Sequence, residues 1–210
     1  MDLPVTIAII AITCLASFPA FSNEKLKDDL LFWPYQIKKR NQFYRFITGG
    51  FLHADTVHLI FNMISLWSFG AALEKFLFPK LFGTMSIMLY IVLYLTGIVV
   101  ACIPDYFKYK DQYGYRALGA SGAVSAIVFA AIIIEPTSTL RFLFIPFDIP
   151  AYIFGLIFLG LSAYLARKGQ GNVGHNAHFW GGIWGIVFTW LAARSFAHKD
   201  LFKDFLEKVF

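Results

Sequence analysis

The stretch FGTMSIMLYIVLYLTGIVVACI, residues 82–103, continues for 22 residues without a charged side chain. Because a helix rises about 1.5 Å per residue, such a run is long enough to cross the roughly 30 Å hydrocarbon core of a bilayer. The rest of the chain has the same character: 58% of its 210 residues are hydrophobic and 15% are charged, whereas about 25% are charged in ordinary soluble domains. The composition therefore predicts a membrane protein with several spans.

Apolar runs of about 20 residues recur along the chain and predict transmembrane helices. The predicted spans are six in number and cover residues 3–21, 57–76, 82–103, 118–134, 146–166 and 176–196. The first run follows MDLPV, which has an acidic residue and no Lys or Arg, so we expect a helix and not a signal peptide. The fold class is predicted as an all-α six-helix membrane bundle. Residues 1–196 would form a single domain, followed by a short basic amphipathic tail at 197–210.

Basic residues give one prediction of membrane orientation. More Lys and Arg fall in the loops on the side of the first loop, about residues 22–56, than on the opposite side. By the positive-inside rule this count would place the first loop in the cytoplasm. The loop is long and mixed in composition, which weakens the rule, so the count leaves the orientation open.

Neither a metal nor a cofactor is expected. Cys14 and Cys102 fall in apolar segments, where free cysteine behaves as a small hydrophobic residue, and their spacing suggests neither a disulfide framework nor a metal site. The net charge of +5 indicates the headgroups of a lipid bilayer as partners, before nucleic acid.

Polar side chains inside apolar runs are costly in a bilayer, and they are the first candidates for function. They form three groups: His58 and Asn62 in HLIFN, Ser121 in GASG, and His178 in AHFWGG. These groups lie near the starts of the second, fourth and sixth predicted spans, which cross the membrane in the same direction. The span count alone therefore predicts that all four side chains lie on one side of the bilayer at a similar, shallow depth.

A serine and a histidine at one depth indicate nucleophilic catalysis. A serine hydroxyl is a weak nucleophile until a base removes its proton, and an imidazole with a pKa of about 6.5 suits that task. The side chains of Asn62 and His58 and the backbone N–H of Ser121 could donate to the oxyanion of a tetrahedral intermediate. The start of a helix at Ser121 would also favour an anion.

Small residues predict that the fourth and sixth helices approach each other closely. Ser121 is bordered by glycines and alanines, and Gly181 and Gly185 form a small-xxx-small pair on the sixth span. Such an approach would bring the hydroxyl within reach of the imidazole of His178.

A third, orienting carboxylate is not evident. Asp105 and Asp111 are predicted to lie in a loop, and Asp148 is predicted on the opposite side of the membrane. The sequence therefore predicts a Ser–His dyad and not a triad.

At these residues the chain resembles the rhomboid family of intramembrane serine proteases. GASG at 119–122 is similar to the nucleophile motif of the family, HLIFN at 58–62 to its HxxxN oxyanion motif, and AHFWGGIWG at 177–185 to its AHxxGxxxG motif. FYRFITGGFLHAD at 43–55 resembles the end of its membrane-embedded first loop, with Tyr-Arg where Trp-Arg is typical. The resemblance covers about residues 45–185.

The resemblance implies hydrolysis of a peptide bond in or beside the transmembrane segment of a single-span membrane protein, without a metal or cofactor. Ser121 would be the nucleophile and His178 the base, and His58, Asn62 and Ser121 would form the oxyanion hole. His53 resembles a histidine that ties down the first loop. The active side would face away from the cytoplasm, against the charge count, and we follow the resemblance here.

The basic tail HKDLFKDFLEK agrees with a cytoplasmic C terminus. The compact six-span form without a targeting extension suggests a bacterial cytoplasmic membrane. The sequence predicts neither the natural substrate nor the oligomeric state.

One position departs from the family pattern. Four residues after the nucleophile many members have an aromatic residue that packs on the catalytic histidine, whereas this chain has Ser125. Another aromatic residue, for example Phe179 or Trp180, could take that place, or His178 would be held more loosely.

Two other classes of function are alternatives to catalysis. A rhomboid-like protein without catalysis could bind membrane clients, but such relatives typically lack the nucleophile or the base. A transporter or channel would need polar residues through the full depth of the membrane, whereas the fourth and sixth spans turn apolar or small after their first turns. Taken singly, Ser121, His178 and Asn62 are ordinary helix-packing or hydrogen-bonding residues. We prefer catalysis because three motifs occur in order at one depth.

Overall fold

A computed structural model describes residues 3–141, 148–168 and 174–210. The α-helices are α1 (Pro4–Ser22), α2 (Glu24–Leu30), α3 (Pro34–Arg40), α4 (Arg45–Thr48), α5 (Thr56–Ala72), α6 (Phe78–Phe82), α7 (Ser86–Tyr109), α8 (Ser121–Ile134), α9 (Ala151–Lys168), α10 (His175–Ala192) and α11 (Leu201–Val209). Short 3-10 turns cover Gly49–Phe51 and Gly83–Met85, π-helical turns cover Leu73–Leu77 and Ala193–Ala197, and two strands, β1 (Thr139–Leu140) and β2 (Ile149–Pro150), pair antiparallel. The prediction of an all-α membrane bundle is confirmed.

The six predicted spans coincide with α1, α5, α7, α8, α9 and α10, although the start of the fifth, at 146–147, lies outside the described residues. Within the described part of the chain, three helical stretches are long and apolar enough to cross a membrane: Pro4–Ser22, Thr56–Tyr109 and Ala151–Lys168. The second of these contains both α5 and α7, and therefore two predicted spans. The chain is an integral membrane protein.

The remaining two predicted spans are less regular. α8 is apolar but has only 14 residues, which corresponds to about 21 Å and is shorter than the hydrocarbon core. It begins at Ser121 and not at residue 118, so the nucleophile candidate is its first residue. α10 has 18 residues and polar side chains in its first turn. A count of six full spans stays a prediction for these two helices.

The connection between α7 and α8 differs from the prediction. α7 continues through Pro104 to Tyr109, so Asp105 lies in a helix and not in a loop. Its side chain is buried and accepts hydrogen bonds from Tyr115 and Asn176. The last turns of α7 therefore pack inside the protein, although they extend beyond the apolar run. The prediction that Asp105 lies in a loop is therefore wrong.

The long first loop folds into α2, α3 and α4 around a buried arginine. The guanidinium of Arg45 donates to the carbonyl oxygens of Asp28 and Leu31 at 2.7 and 2.9 Å and to the side-chain oxygen of Gln42 at 2.7 Å. A backbone bridge between Phe32 and Ala117 then joins this loop to the connection that precedes α8. The first loop is thereby fixed beside the start of α8.

α8 is the central helix of the bundle. Every residue from Gly122 to Ile134 is buried, and α5, α7, α9 and α10 pack around it. Its contact with α10 is made through glycines: a methyl group added at Gly181 would overlap the carbonyl oxygen of Gly122, and one added at Gly185 would overlap that of Ala126. The predicted close approach of these two helices is confirmed.

The tail forms α11, whose Leu201 is buried and whose Phe205 packs on the main core. The ammonium group of Lys208 donates to the carbonyl oxygen of Ile134 at 2.7 Å, where α8 ends. A cation at this position is favourable because the last carbonyl groups of a helix have no partner within it. The division into a domain at 1–196 and a tail at 197–210 stays a prediction.

Candidate active site

A cleft of about 690 Å³ lies between the starts of α5, α8 and α10 and the middle of α9. The four predicted site residues, His58, Asn62, Ser121 and His178, all line it. They come from three helices and from positions up to 120 residues apart in the chain. The structure therefore brings together the residues that the span count placed at one depth.

The start of α5 supplies two of these side chains. Asp55 precedes the helix, and its carboxylate accepts the backbone N–H of His58 at 2.8 Å, which fixes the first turn. Asn62 lies one turn further on the same face and is 7% exposed. Its amide donates one N–H to the carbonyl oxygen of His58 at 2.9 Å. An amide has two N–H groups, so the second can serve a ligand in the cleft.

The start of α8 supplies the serine. Gly119 has a φ of +129°, a value that side chains strongly disfavour, and a methyl group there would lie 2.8 Å from the imidazole of His58. The backbone N–H of Gly119 donates to the carbonyl oxygen of Gly49 at 3.0 Å, which ties this turn to the first loop. Ser121 follows as the first residue of α8, where unpaired N–H groups favour an anion.

His53 connects α1 to the turn that precedes Ser121. Its ring is fully buried, and its Nδ1 lies 3.0 Å from the hydroxyl of Ser17, which itself donates to the carbonyl oxygen of Phe51 at 2.9 Å. The hydroxyl must then accept from Nδ1–H, which leaves Nε2 to accept the backbone N–H of Ala120 at 3.4 Å. Burial, and then the neighbouring His58, lowers the pKa of His53 to about 3, so the ring stays neutral.

The first turn of α10 supplies His178, the proposed base of the predicted Ser–His dyad. The ring of His178 lies 5.7 Å from that of Phe158 on α9 and 5.9 Å from that of His175. Phe179 and Trp180 instead pack on each other, with 5.3 Å between ring centroids. The expectation that another aromatic residue packs on His178 is met by Phe158 and not by Phe179 or Trp180, because successive residues of a helix point about 100° apart.

The helices that carry Ser121 and His178 are in backbone contact close to these two residues, and both side chains line one cleft. Gly181 lies three residues after His178 and contacts Gly122, the residue that follows Ser121. A side chain at Gly181 would force α10 away from α8, and one at Gly122 would overlap the side chain of Ala101 on α7. The small residues therefore allow the helices that carry the hydroxyl and the imidazole to approach closely.

Sequence reasoning missed one buried carboxylate near the site. Asp105 is 6% exposed and accepts hydrogen bonds from Tyr115 and Asn176. A carboxylate so close to the end of a 22-residue apolar run was itself a signal, because burial of an acid requires partners. Across the described residues, 3–141, 148–168 and 174–210, no group of three metal-ligating side chains could hold a metal ion.

Comparison with known proteins places most of the chain in one family. The family model described as Rhomboid domain matches residues 40–195. The chain is 29% identical over 168 residues to RHOMBOID-like protein 12, mitochondrial, of Arabidopsis thaliana. The aligned residues cover 74% of this chain and 48% of that protein. It is 24% identical over 205 residues to Rhomboid protease GlpG of Serratia proteamaculans, covering 94% of this chain and 66% of that protein.

A second Rhomboid protease GlpG, from Haemophilus influenzae, is 21% identical over 173 residues, which cover 80% of this chain and 81% of that protein. The chain thus spans about half the length of the plant relative and most of the length of this bacterial one.

Proposed function

Because the chain belongs to the rhomboid family, we propose that it is an intramembrane serine endopeptidase with Ser121 and His178 as a catalytic dyad. The observation that carries the proposal is the convergence of Ser121, His178, His58 and Asn62 on one cleft. Two relatives are named as rhomboid proteases, which supports the same reaction class.

Acylation begins at the hydroxyl of Ser121. The imidazole of His178 takes the hydroxyl proton while Oγ forms a bond to the carbonyl carbon of the substrate, whose oxygen becomes an oxyanion. The side chains of Asn62 and His58 and the backbone N–H of Ser121 donate to that oxyanion. His178 then gives the proton to the departing amine as the peptide C–N bond breaks.

Deacylation repeats the same proton transfers with water. His178 accepts a proton from a water molecule while the water oxygen attacks the acyl carbon. His178 then returns the proton to Oγ of Ser121 as the bond between Oγ and the acyl carbon breaks. No metal or redox partner enters this balance, because only protons and one water molecule are exchanged. Asp105 does not contact His178 in this scheme, which remains a dyad.

The proposed substrate is a single-span membrane protein that presents a short unwound segment to the cleft. Phe154 and Phe158 of α9 and Phe61 and Phe69 of α5 give the cleft an apolar wall, which suits side chains leaving a lipid environment. The lipid bilayer is the second partner, and nucleic acid is not one. The cleft opens on the side of the membrane away from the cytoplasm.

We place the protein in a bacterial cytoplasmic membrane, and the two bacterial relatives support this location. The mitochondrial relative makes an organelle membrane the rival location. Fractionation of source cells, with protease protection of tags on each terminus, distinguishes the two locations and tests the orientation.

The proposal is tested by cleavage of a model single-span substrate by the protein reconstituted in liposomes. We expect cleavage by the unaltered protein and loss of at least about a thousandfold in Ser121→Ala and in His178→Ala. His198→Asn in the tail is the matched control, because His198 is exposed and Asn accepts its left-handed backbone.

Full activity of Ser121→Ala or His178→Ala would exclude that residue from the dyad. Binding of the substrate without cleavage by the unaltered protein would favour the alternative function, recognition of membrane clients.

A further inference from the structure

The carboxylate of Asp105 lies at the end of α7, next to both segments that lead into the proposed dyad. α7 packs against α8 and α10 over much of its length, so its end is a fixed point relative to both. Asp105 is 6% exposed and does not line the catalytic cleft. It borders a separate cleft of about 670 Å³ on the other side of the first turn of α10.

One oxygen of Asp105 accepts from the segment that precedes the nucleophile. The hydroxyl of Tyr115 donates to Oδ2 at 2.7 Å, and its ring stacks on that of Tyr109 with 3.8 Å between centroids and 9° between planes. Burial, and then the neighbouring Asp105, raises the pKa of Tyr115, so the hydroxyl keeps its proton and remains a donor. Tyr115 is six residues before Ser121.

The other oxygen of Asp105 accepts from the helix that carries the base. The amide of Asn176 donates to Oδ1 at 2.5 Å. Asn176 lies two residues before His178, in the first turn of α10, and Gly174 in front of that helix provides no side-chain cap. A carboxylate at this end of a helix is also favoured by the unpaired N–H groups there.

We infer that Asp105 is a positioning residue, which holds Tyr115 and Asn176 on one carboxylate and thereby sets Ser121 and His178 relative to each other. The inference rests on the proposed protease function. Without the carboxylate, the connection at 110–120 and the first turn of α10 lose the group to which both are hydrogen-bonded. A displacement of about 1 Å between reacting groups can cost about a hundredfold in rate.

The test is a polarity swap across the contact between residues 105 and 176. Asn176→Asp places a second carboxylate opposite that of Asp105, and the two repel each other and break the contact. Asp105→Asn combined with Asn176→Asp restores it, because the new amide at 105 donates to the new carboxylate and its oxygen still accepts from Tyr115. Tyr115→Phe, which removes one hydroxyl, breaks the other contact alone.

The readouts are kcat and KM for a single-span substrate, and the rate at which a fluorophosphonate probe labels Ser121. We expect Asn176→Asp and Tyr115→Phe each to lower kcat and the labelling rate by about tenfold or more, with KM within about twofold. The double variant should recover to within about threefold of the unaltered protein. Assays are made well below each melting temperature, so that loss of folded protein does not contribute.

Asp111→Asn is the matched control, since Asp111 is an exposed acid on the same connection and pairs only with Lys38 among the described residues. Unchanged kcat in folded Asn176→Asp and Tyr115→Phe, or no recovery in the double variant, would overturn the inference alone. An unaltered protein without Ser121-dependent cleavage or labelling would overturn the proposed function, and the inference with it.

Discussion

Gly181 on α10 and Gly122 on α8 are in backbone contact, so that even a methyl group at position 181 would overlap the carbonyl oxygen of Gly122. This contact lies one residue from Ser121 and three from His178. The distance between the two helices that carry the proposed dyad is therefore set by the absence of side chains.

Gly181→Ala is expected to destabilise the protein by about 1–3 kcal/mol or more and to abolish most activity, because two helix backbones must separate. Gly160→Ala in α9 is the matched control, because among the described residues no atom beyond its own helix backbone lies within 4 Å of the added methyl group. There we expect unchanged activity and a small gain in stability, about 0.5–1 kcal/mol, from the higher helix propensity of Ala. Melting temperature and substrate cleavage are the measurements, and equal effects of the two changes would contradict this account of the contact.

The grouping of the candidate site residues in one cleft could be predicted from the sequence because of topology. Spans that start on the same side of a membrane must place their first turns at a similar depth, so HLIFN, GASG and AHFWGG could be grouped before any contact was known. The glycine spacing on the sixth span likewise predicted the close contact, because only small residues let helix backbones meet.

Other features could not be read from the pattern. The apolar run ended at Pro104, which concealed the last turns of α7 and the buried Asp105 within them. The ring packed on His178 comes from Phe158, twenty residues earlier on another helix, and no local spacing indicates that contact. The folded first loop depends on Arg45 binding carbonyl oxygens, and backbone acceptors are not recognisable in a sequence.

Glu74 caps a helix from a distant part of the chain. Its carboxylate accepts the backbone N–H groups of Val5 and Thr6 at 2.8 Å each and the hydroxyl of Thr6 at 2.6 Å, at the start of α1. Glu74→Gln is expected to lower the free energy of unfolding by about 1–3 kcal/mol, since a buried donor at the start of α1 loses a charged acceptor.

Thermal unfolding in detergent measures this effect. Glu24→Gln is the control, because within the described part of the chain Glu24 pairs only with Lys27, at the surface, and should contribute less than about 1 kcal/mol. A melting temperature of Glu74→Gln equal to that of the control variant would disprove the capping role.

Acid should destabilise the protein in part through His53. The folded-state pKa of His53 is about 3, lowered first by burial and then by His58, with Asp55 opposing, whereas the unfolded value is about 6.5. Between these values the unfolded chain binds more protons than the folded protein, so this contribution to stability is complete above about pH 6.5 and is lost as the pH falls toward 3.

His53→Gln removes this titration. From pH 7 to pH 5 we expect the unaltered protein to lose about 2 kcal/mol more stability than the variant. Chemical unfolding at both pH values measures the difference, and parallel losses in the two proteins would show that His53 does not carry this part of the acid sensitivity.

Phe158 packs on His178, whereas Ser125 has no ring to do so. Its ring lies 5.7 Å from the imidazole and belongs to α9, which also forms a wall of the catalytic cleft. Aromatic pairs contribute about 0.5–1.5 kcal/mol beyond the burial of their area, so Phe158→Leu should slow labelling of Ser121 by a fluorophosphonate probe by roughly 2- to 13-fold through a less ordered base. Phe179→Leu is the control of identical chemistry, since Phe179 packs on Trp180 and borders the other cleft. If both variants slow the labelling equally, or neither does, the ring of Phe158 does not orient His178.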